Sequence, residues 1–296
     1  GNGGGQRVGN FVPFTDNGTI ANSVIYNHAS EPDLARTPSS AGNRRTFTVS
    51  AWVKLCAEFG QRRMLFSQAS SGNVYFYIEF NASNQLEVSA NDGSGGADLD
   101  LKTNRTFEDT SKFYHVVVAV DSTQSTSSDR VKVYVDGDQI TSFATETYFG
   151  QNYDTQVNHT VEASVGNWID TGYSTDGYIA EFNLVDGTAL TPSTFGLTDT
   201  STGRWIPKSL TGITYGTNGL RLEFANSAGQ TIGDDTSGNT NDLAVSNLDA
   251  ADITTDSPTQ NFATHSVFYS GTIGITEGGL KVTHTQTNDY NTAYVG

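Results

Sequence analysis

The residue types best suited to chemistry gather in one short stretch, Asn167-Trp168-Ile169-Asp170-Thr171-Gly172-Tyr173-Ser174-Thr175-Asp176. Trp168 and Tyr173 lie there among the oxygen acceptors Asn167, Asp170 and Asp176. A pyranose needs that combination, because its apolar face stacks on a ring while its hydroxyls find fixed polar partners. The competing reading carries slightly more weight: Trp168 plugs the end of a folded layer and the acids cap turns. A second run, Gly233 to Asp242 (GDDTSGNTND), packs oxygen ligands around a glycine. Ca²⁺ favours oxygen ligands, and Asp234, Asp235, Asn239 and Asp242 would be the ones to hold it. The run does not fit the D-x-[DN]-x-[DN]-G loop, and Asn and Asp satisfy turn backbone groups without any ion. An Asx-turn is the preferred reading, with Ca²⁺ the one cofactor the sequence suggests.

Other site chemistries find little support. The five histidines (His28, His115, His159, His265, His284) are scattered and show no zinc spacing. The Gly-rich loop Asn91 to Asp98 has no following Lys-Ser/Thr and no helix to cap, so it is not a phosphate loop. No Gly-x-Ser-x-Gly elbow occurs. Cys56 is the one cysteine, which rules out an intrachain disulfide. Formal net charge is -16, a poor match to nucleic acid or to anionic lipid. No apolar run approaches the ~18–20 residues of a membrane span, and no signal peptide is visible. The chain starts at Gly1 without Met and is expected to be a piece of a longer or processed polypeptide. Four Asn-x-Ser/Thr sequons, at Asn17, Asn81, Asn104 and Asn158, matter only in a glycosylating secretory route.

The elements that must position these residues read as β. Charged residues are 16% of the chain, and its polarity comes from Ser, Thr, Asn, Gln and Gly, the balance of a β-rich extracellular or virion-type protein. Val116 to Val120 is a short β-branched run suited to a strand buried on both faces. Val131 to Val135 alternates with Lys132 and Tyr134 outward, and Asp136-Gly137 suits φ > 0 turn positions. Phe47 to Leu55 points Phe47, Val49, Ala51 and Val53 inward. That leaves Trp52 on the other face, either as an exposed platform or, more in keeping with such residues, packed under a second layer. Val74 to Phe80, Gln85 to Ala90, Val161 to Trp168, Gly177 to Val185 and Leu220 to Phe224 supply further strands. Ser30 to Arg45 reads as a loop, and Thr191-Pro192 opens one helical turn. The expected fold is all-β, an antiparallel β-sandwich of jelly-roll type. A flexible or partner-dependent arm spans 1–21, the jelly roll 22–228, and an irregular extension 229–296 that leads into a further β element at Gly279 to His284.

The passages FTVSAWVKL, YHVVVAVDSTQSTSSDRVKVYVDGDQI and DGYIAEFNLVDGTALTPSTFG resemble the concanavalin A-like, laminin-G-type jelly roll. That family carries a Trp-bearing strand, a "W-x-H-V" strand, a "Y-V-D/N-G" turn and a "G-x-I-x-E" strand in this order. Here Phe113 or Tyr114 stands before His115 where the family has Trp. The opening LARTPSSAGNRRTFTVSAWVK and the passages RWIPKSLTG, YGTNGLRLEF and DSPTQNFAT are similar to structural proteins of marine tailed phages. The resemblance implies a virion component at the particle surface, a tail fibre, spike or capsid-surface appendage. It also implies a lectin-like fold, partners among other virion subunits or copies of itself, and a possible surface glycan. A secreted or cell-surface bacterial adhesin is the alternative. Hydrolases of this fold place Glu-x-Asp-x-x-Glu along one strand, with acid and nucleophile about 5–5.5 Å apart. Here Glu31-Pro32-Asp33 is followed by Arg36, and Glu79, Glu87 and Glu181 read as isolated acids, so no enzyme activity is expected.

Overall fold

A computed structural model of the chain describes residues 18–56, 60–169, 173–225 and 229–261, and two short strands at 273–276 and 281–284. Two antiparallel sheets of eight strands face one another. The first contains β1 (Ser23–Tyr26), β3 (Thr46–Leu55), β8 (Tyr114–Asp121), β9 (Val131–Val135), β10 (Asp138–Gln139), β13 (Gly177–Asp186), β16 (Leu220–Leu222) and β18 (Ile253–Thr254). Its order is β10-β9-β8-β3-β13-β1-β18, with β16 also paired to β13. The second contains β2 (Asp33–Arg36), β4 (Arg63–Ser71), β5 (Val74–Phe80), β6 (Gln85–Asn91), β7 (Leu99–Thr106), β11 (Phe143–Thr147), β12 (Ala163–Val165) and β17 (Ala244–Ser246). Its order is β11-β7-β6-β5-β4-β12-β2-β17. A hairpin of β14 (Gly196–Thr198) and β15 (Trp205–Pro207) and a second of β19 (Ile273–Thr276) and β20 (Lys281–His284) complete the strands. Helical structure among the described residues is confined to 3-10 turns, and no helix is long and apolar enough to cross a membrane. The all-β antiparallel sandwich expected from the alternation is the fold that forms.

The core is the meeting of the two inner faces. Phe47, Val49, Ala51 and Val53 of β3 and Val116, Val118 and Val120 of β8 face Phe76, Ile78 and Phe80 of β5 and Leu86 and Val88 of β6, all buried. Each such side chain stabilises the sandwich by roughly 1.5–3 kcal/mol relative to exposure. The apolar run of β8 is buried on both faces, as its composition requires. Val117 points outward and packs with Val185, Phe195 and Tyr215, so the segment after β13 forms a third layer over the first sheet. The β9–β10 turn is made by Asp136 (φ 53) and Gly137 (φ 88), the left-handed pair read from the sequence.

Three features depart from the sequence reading. Ser30 to Arg45 is not loop throughout: β2 lies within it and pairs with both β12 and β17. The segment after Gly229 supplies an edge strand to each sheet, β17 to the second and β18 to the first, so the sandwich runs beyond the boundary placed at 228. The further β element expected at Gly279 to His284 starts earlier in the chain, since β20 pairs antiparallel with β19, which precedes it. The arm at 1–21 lies outside the described residues up to 17, while Ile20 is buried against Trp52, Phe113 and Tyr178.

Candidate functional site

The Asn167–Asp176 stretch does not build an open platform around its tryptophan. Trp168 is 8% exposed and packs with Met64, Ala69 and Tyr77 on the outer face of the second sheet. The rings of Tyr75 and Tyr77 meet it edge-on, with centroids at 5.6 and 5.7 Å. Asn167 is spent locally: its side-chain oxygen accepts the Trp168 backbone N–H at 2.8 Å, and its carbonyl accepts the Ser67 hydroxyl at 2.9 Å. Tyr173 is exposed, with the Arg62 guanidinium 4.6 Å from its ring centroid. Asp176 is half-buried, its carbonyl accepting the Cys56 N–H at 3.2 Å. Asp170 lies outside the described residues. The plug reading describes Trp168; of the described residues in this stretch, Tyr173 is the ring that faces solvent.

The second sheet corrects the reading of Glu79 and Glu87 as isolated acids, because β5 and β6 place them directly opposite one another. Both are held by donors of the chain itself. Arg62 Nε donates to the two Glu79 oxygens at 2.9 and 2.7 Å. Glu87 accepts the Tyr77 hydroxyl at 2.7 Å and the Asn81 amide at 2.9 Å, with Lys102 at 3.7 Å. Burial pushes the Glu79 carboxyl up to about 7 against the pull of Arg62. Glu181 is likewise engaged. It sits at φ 47 in a bulge of β13, where Arg221 Nε reaches it at 2.5 Å.

The acidic run after Gly233 folds as turns whose oxygens are filled by N–H and O–H donors. Asp235 Oδ1 accepts the backbone N–H of Arg221 at 2.9 Å and of Ser237 at 2.8 Å. Its Oδ2 accepts the Ser237 hydroxyl and the Asn241 N–H, each at 2.9 Å. Asp234 accepts the Thr231 N–H and hydroxyl at 2.9 and 2.6 Å, and Asp242 accepts the Asp235 N–H at 2.9 Å. Asn239 turns its amide nitrogen to the carbonyls of Gly216 and Gly219, at 2.7 and 2.9 Å. Four residues aimed at four different sets of backbone groups do not converge on a cation, and the donor set does not fit Ca²⁺. Among the described residues no group of three or more His, Cys, Asp or Glu is placed to hold a metal ion.

A site that the sequence reading missed lies on the outer face of the first sheet. Trp52 and His115 are register partners on β3 and β8, and their rings stack with centroids 4.5 Å apart. The β14–β15 hairpin brings Trp205 alongside, and its indole N–H donates to His115 Nδ1 at 2.9 Å. Nδ1 accepts, so the ring proton sits on Nε2 and goes to Ser50 Oγ at 3.0 Å. Burial lowers the His115 pKa to about 3, which keeps the imidazole neutral. Trp205 lies close on Gly137 and Gly196. A Cβ at Gly137 would come within 2.5 Å of the indole, and one at Gly196 within 2.6 Å. Between these groups opens a pocket of about 220 Å³. Its apolar lining is Trp52, Phe113, Trp205 and Pro258, and its polar lining is Lys112, Asp136, Arg204 and Asn261. Lys54 lies close by, fully buried, 3.0 Å from Asp256 and donating to Asn261 Oδ1 at 2.8 Å. Trp52 and Phe113 are buried, at 4% and 6% exposure, and form the floor, while Trp205 is half-buried, so the arrangement can offer the Trp205 indole to a flat apolar surface with charged donors at its edge. Its volume suits one terminal sugar unit rather than an extended chain, below the ~300–1,000 Å³ of pockets for larger ligands. The signal available beforehand was weak: Trp52 on the minority face of its strand, and Trp205 in a three-residue strand far along the chain.

Comparison with known proteins agrees with this architecture. The model of the concanavalin A-like lectin/glucanases superfamily matches residues 29–194. No curated protein matches the chain. Among solved structures, domain 4 of an extracellular arabinanase from Geobacillus stearothermophilus, in complex with arabinotriose, is 22% identical with a TM-score of 0.43, covering 60% of this chain and 76% of that one. The heptameric SAP-like pentraxin of Limulus polyphemus is 16% identical with a TM-score of 0.41, covering 59% and 80%. Domains LG4-5 of the mouse laminin alpha1 chain are 12% identical with a TM-score of 0.41, covering 67% and 47%. With two antiparallel sheets in place and over half of the 296 residues inside the match, the chain belongs to the concanavalin A-like lectin/glucanase superfamily.

Proposed function

We propose that the chain is a non-enzymatic, lectin-type structural component of a phage particle, a fibre, spike or capsid-surface appendage that binds surface glycans. The observation that carries the glycan reading is the pocket where Trp52, Phe113 and Trp205 meet charged side chains. Its aromatic wall is held by the His115 hydrogen bond rather than by mobile loops, so a sugar meets a preformed surface. The non-enzymatic part is supported by the state of the paired acids. Glu79 and Glu87 both have oxygens engaged by donors of the chain itself, Arg62 on one and Tyr77 and Asn81 on the other. The virion part is supported by the acidic, hydroxyl- and amide-rich sequence and by its RWIPKSLTG and DSPTQNFAT passages.

A glycan array tests the binding. The chain should bind a subset of glycans equally with and without Ca²⁺, and Trp205→Ala should lower that signal at least about tenfold. An array blank under both conditions overturns the reading, as would release of reducing ends from the bound glycans. Antibody labelling of intact phage particles tests the location. Label confined to bacterial cells would move the protein to the adhesin class.

A further inference from the structure

The charge of the pocket differs from that of the molecule. The chain carries a formal net charge of -16, yet the pocket holds two cations, Lys112 and Arg204, and one carboxylate, Asp136. That carboxylate is already used. Its Oδ2 accepts Lys112 Nζ at 2.8 Å, and its Oδ1 accepts the His115 backbone N–H at 2.9 Å. Asn261 is used as well, its oxygen by Lys54 and its amide by the Ser111 carbonyl at 2.6 Å. Arg204 is exposed and forms no ion pair among the described residues. It stands beside Trp205, whose position is fixed by His115 and by the two close glycines. The described lining thus presents the half-buried Trp205 indole, one uncommitted guanidinium and no uncommitted carboxylate.

We infer that the pocket selects sugars bearing a carboxylate, a uronate or nonulosonate unit, with Trp205 stacking on the ring and Arg204 pairing with the acid. The inference rests on the reading of this pocket as a glycan site. A guanidinium presents a planar fork of donors that matches a carboxylate two-to-two, which makes Arg204 the specificity-determining residue. A neutral sugar gains the stacking and leaves the guanidinium to water. Repulsion from the acidic remainder of the chain works against any anion, so a preference for acidic sugars requires the local pairing and not the global field.

Calorimetry on the full chain tests this, with an oligogalacturonide and sialyllactose each measured beside a neutral counterpart, a galacto-oligosaccharide and lactose. A sulfated galactan oligosaccharide serves as a third anion. At about 50 mM salt the carboxylated ligands should bind at least about tenfold tighter than the neutral ones, and tighter than the sulfated one. Arg204→Gln should narrow the carboxylate-to-neutral ratio to within about threefold, and Arg204→Lys should leave it intermediate. Both variants should melt with the wild-type protein, since the side chain is exposed and unpaired. Equal affinity for acidic and neutral sugars, a stronger preference for sulfate, or a ratio untouched by Arg204→Gln overturns the inference and leaves the glycan pocket standing. Failure to bind any of the five ligands overturns the pocket reading with it.

Discussion

His115 holds the aromatic wall of the pocket by staying uncharged. It is fully buried, accepts the Trp205 indole N–H and donates to Ser50, so a second ring proton would have to displace one of these contacts. Burial puts its folded pKa at about 3, against an ordinary value of 6.5. The sign of the linkage follows. Between those values the unfolded chain binds a proton that the native state refuses, so this contribution to stability is complete above pH 6.5 and is lost on acidification toward pH 3. The slope at its steepest is about 1.4 kcal/mol per pH unit for one proton. Glu79 acts in the opposite sense. Its carboxyl is raised from 4.5 to about 7, so the native state holds the extra proton in that window and stability falls as pH rises through it. The two slopes oppose each other between about pH 4.5 and 6.5, and a wild-type pH profile alone would hide both. His115→Gln, which keeps an acceptor and a donor, separates them. In denaturant unfolding from pH 7 down to pH 4, the wild-type stability should decline relative to the variant. A constant difference across that range would mean that His115 titrates in the native state.

At the scale of elements, the central strands were legible because their side chains alternate or run apolar over five residues or more: β3, β5, β8 and β9 all appear where the pattern put them. The edges were not. β2 lies between Pro32 and Pro38, β17 has three residues, all exposed, and β18 has two, both half-buried, too few for a period of two to register. Their membership in the sheets is set by contacts distant in sequence, among them, next to β18, the buried pair Lys54–Asp256. Lys54 is read from sequence as the polar face of β3, yet its side chain is 0% exposed and that of Asp256 3%. The rings of Phe113 and Tyr178 lie 5.8 and 5.5 Å from its ammonium. The candidate site escaped for the same reason. Trp52, His115 and Trp205 belong to three strands that only tertiary packing unites, and a local cluster such as Asn167–Asp176 looks richer on the page. The pair also supports a prediction about the late segment. Asp256→Ala takes a carboxylate away from a buried ammonium and should cost about 3 kcal/mol in denaturant unfolding. Lys54→Met combined with Asp256→Ala removes the charge as well and should recover much of that loss. A loss below about 1 kcal/mol for the single variant would show that residues after Gly229 hold the sandwich only weakly.

The whole molecule combines a closed two-sheet core with a strongly acidic exterior, and that combination governs how copies of it could associate. An appendage built from several copies must bring surfaces of like charge together. Unscreened, copies carrying -16 each repel over the Debye length, about 30 Å at 0.01 M salt and about 8 Å at 0.15 M. The edges that could pair run from two to five residues: β10 and β18 end the first sheet with two each, β17 and β11 end the second with three and five, and Val245 on β17 is among the few large apolar side chains left exposed. Edges this short give limited backbone pairing, so self-association of the proposed kind would draw on apolar contact and on screening of the acidic field. The assembly reading therefore carries a defined salt dependence. Light scattering on the full chain should give a mass that is a multiple of 31.7 kDa, and the multimer fraction should rise as salt is raised from about 0.01 to 0.15 M. Association that weakens with added salt would point to pairing of opposite charges across the contact. A monodisperse monomer at every salt concentration would remove self-assembly from the proposed role and leave the proposed glycan binding to single copies, since the pocket's described lining residues all come from one chain.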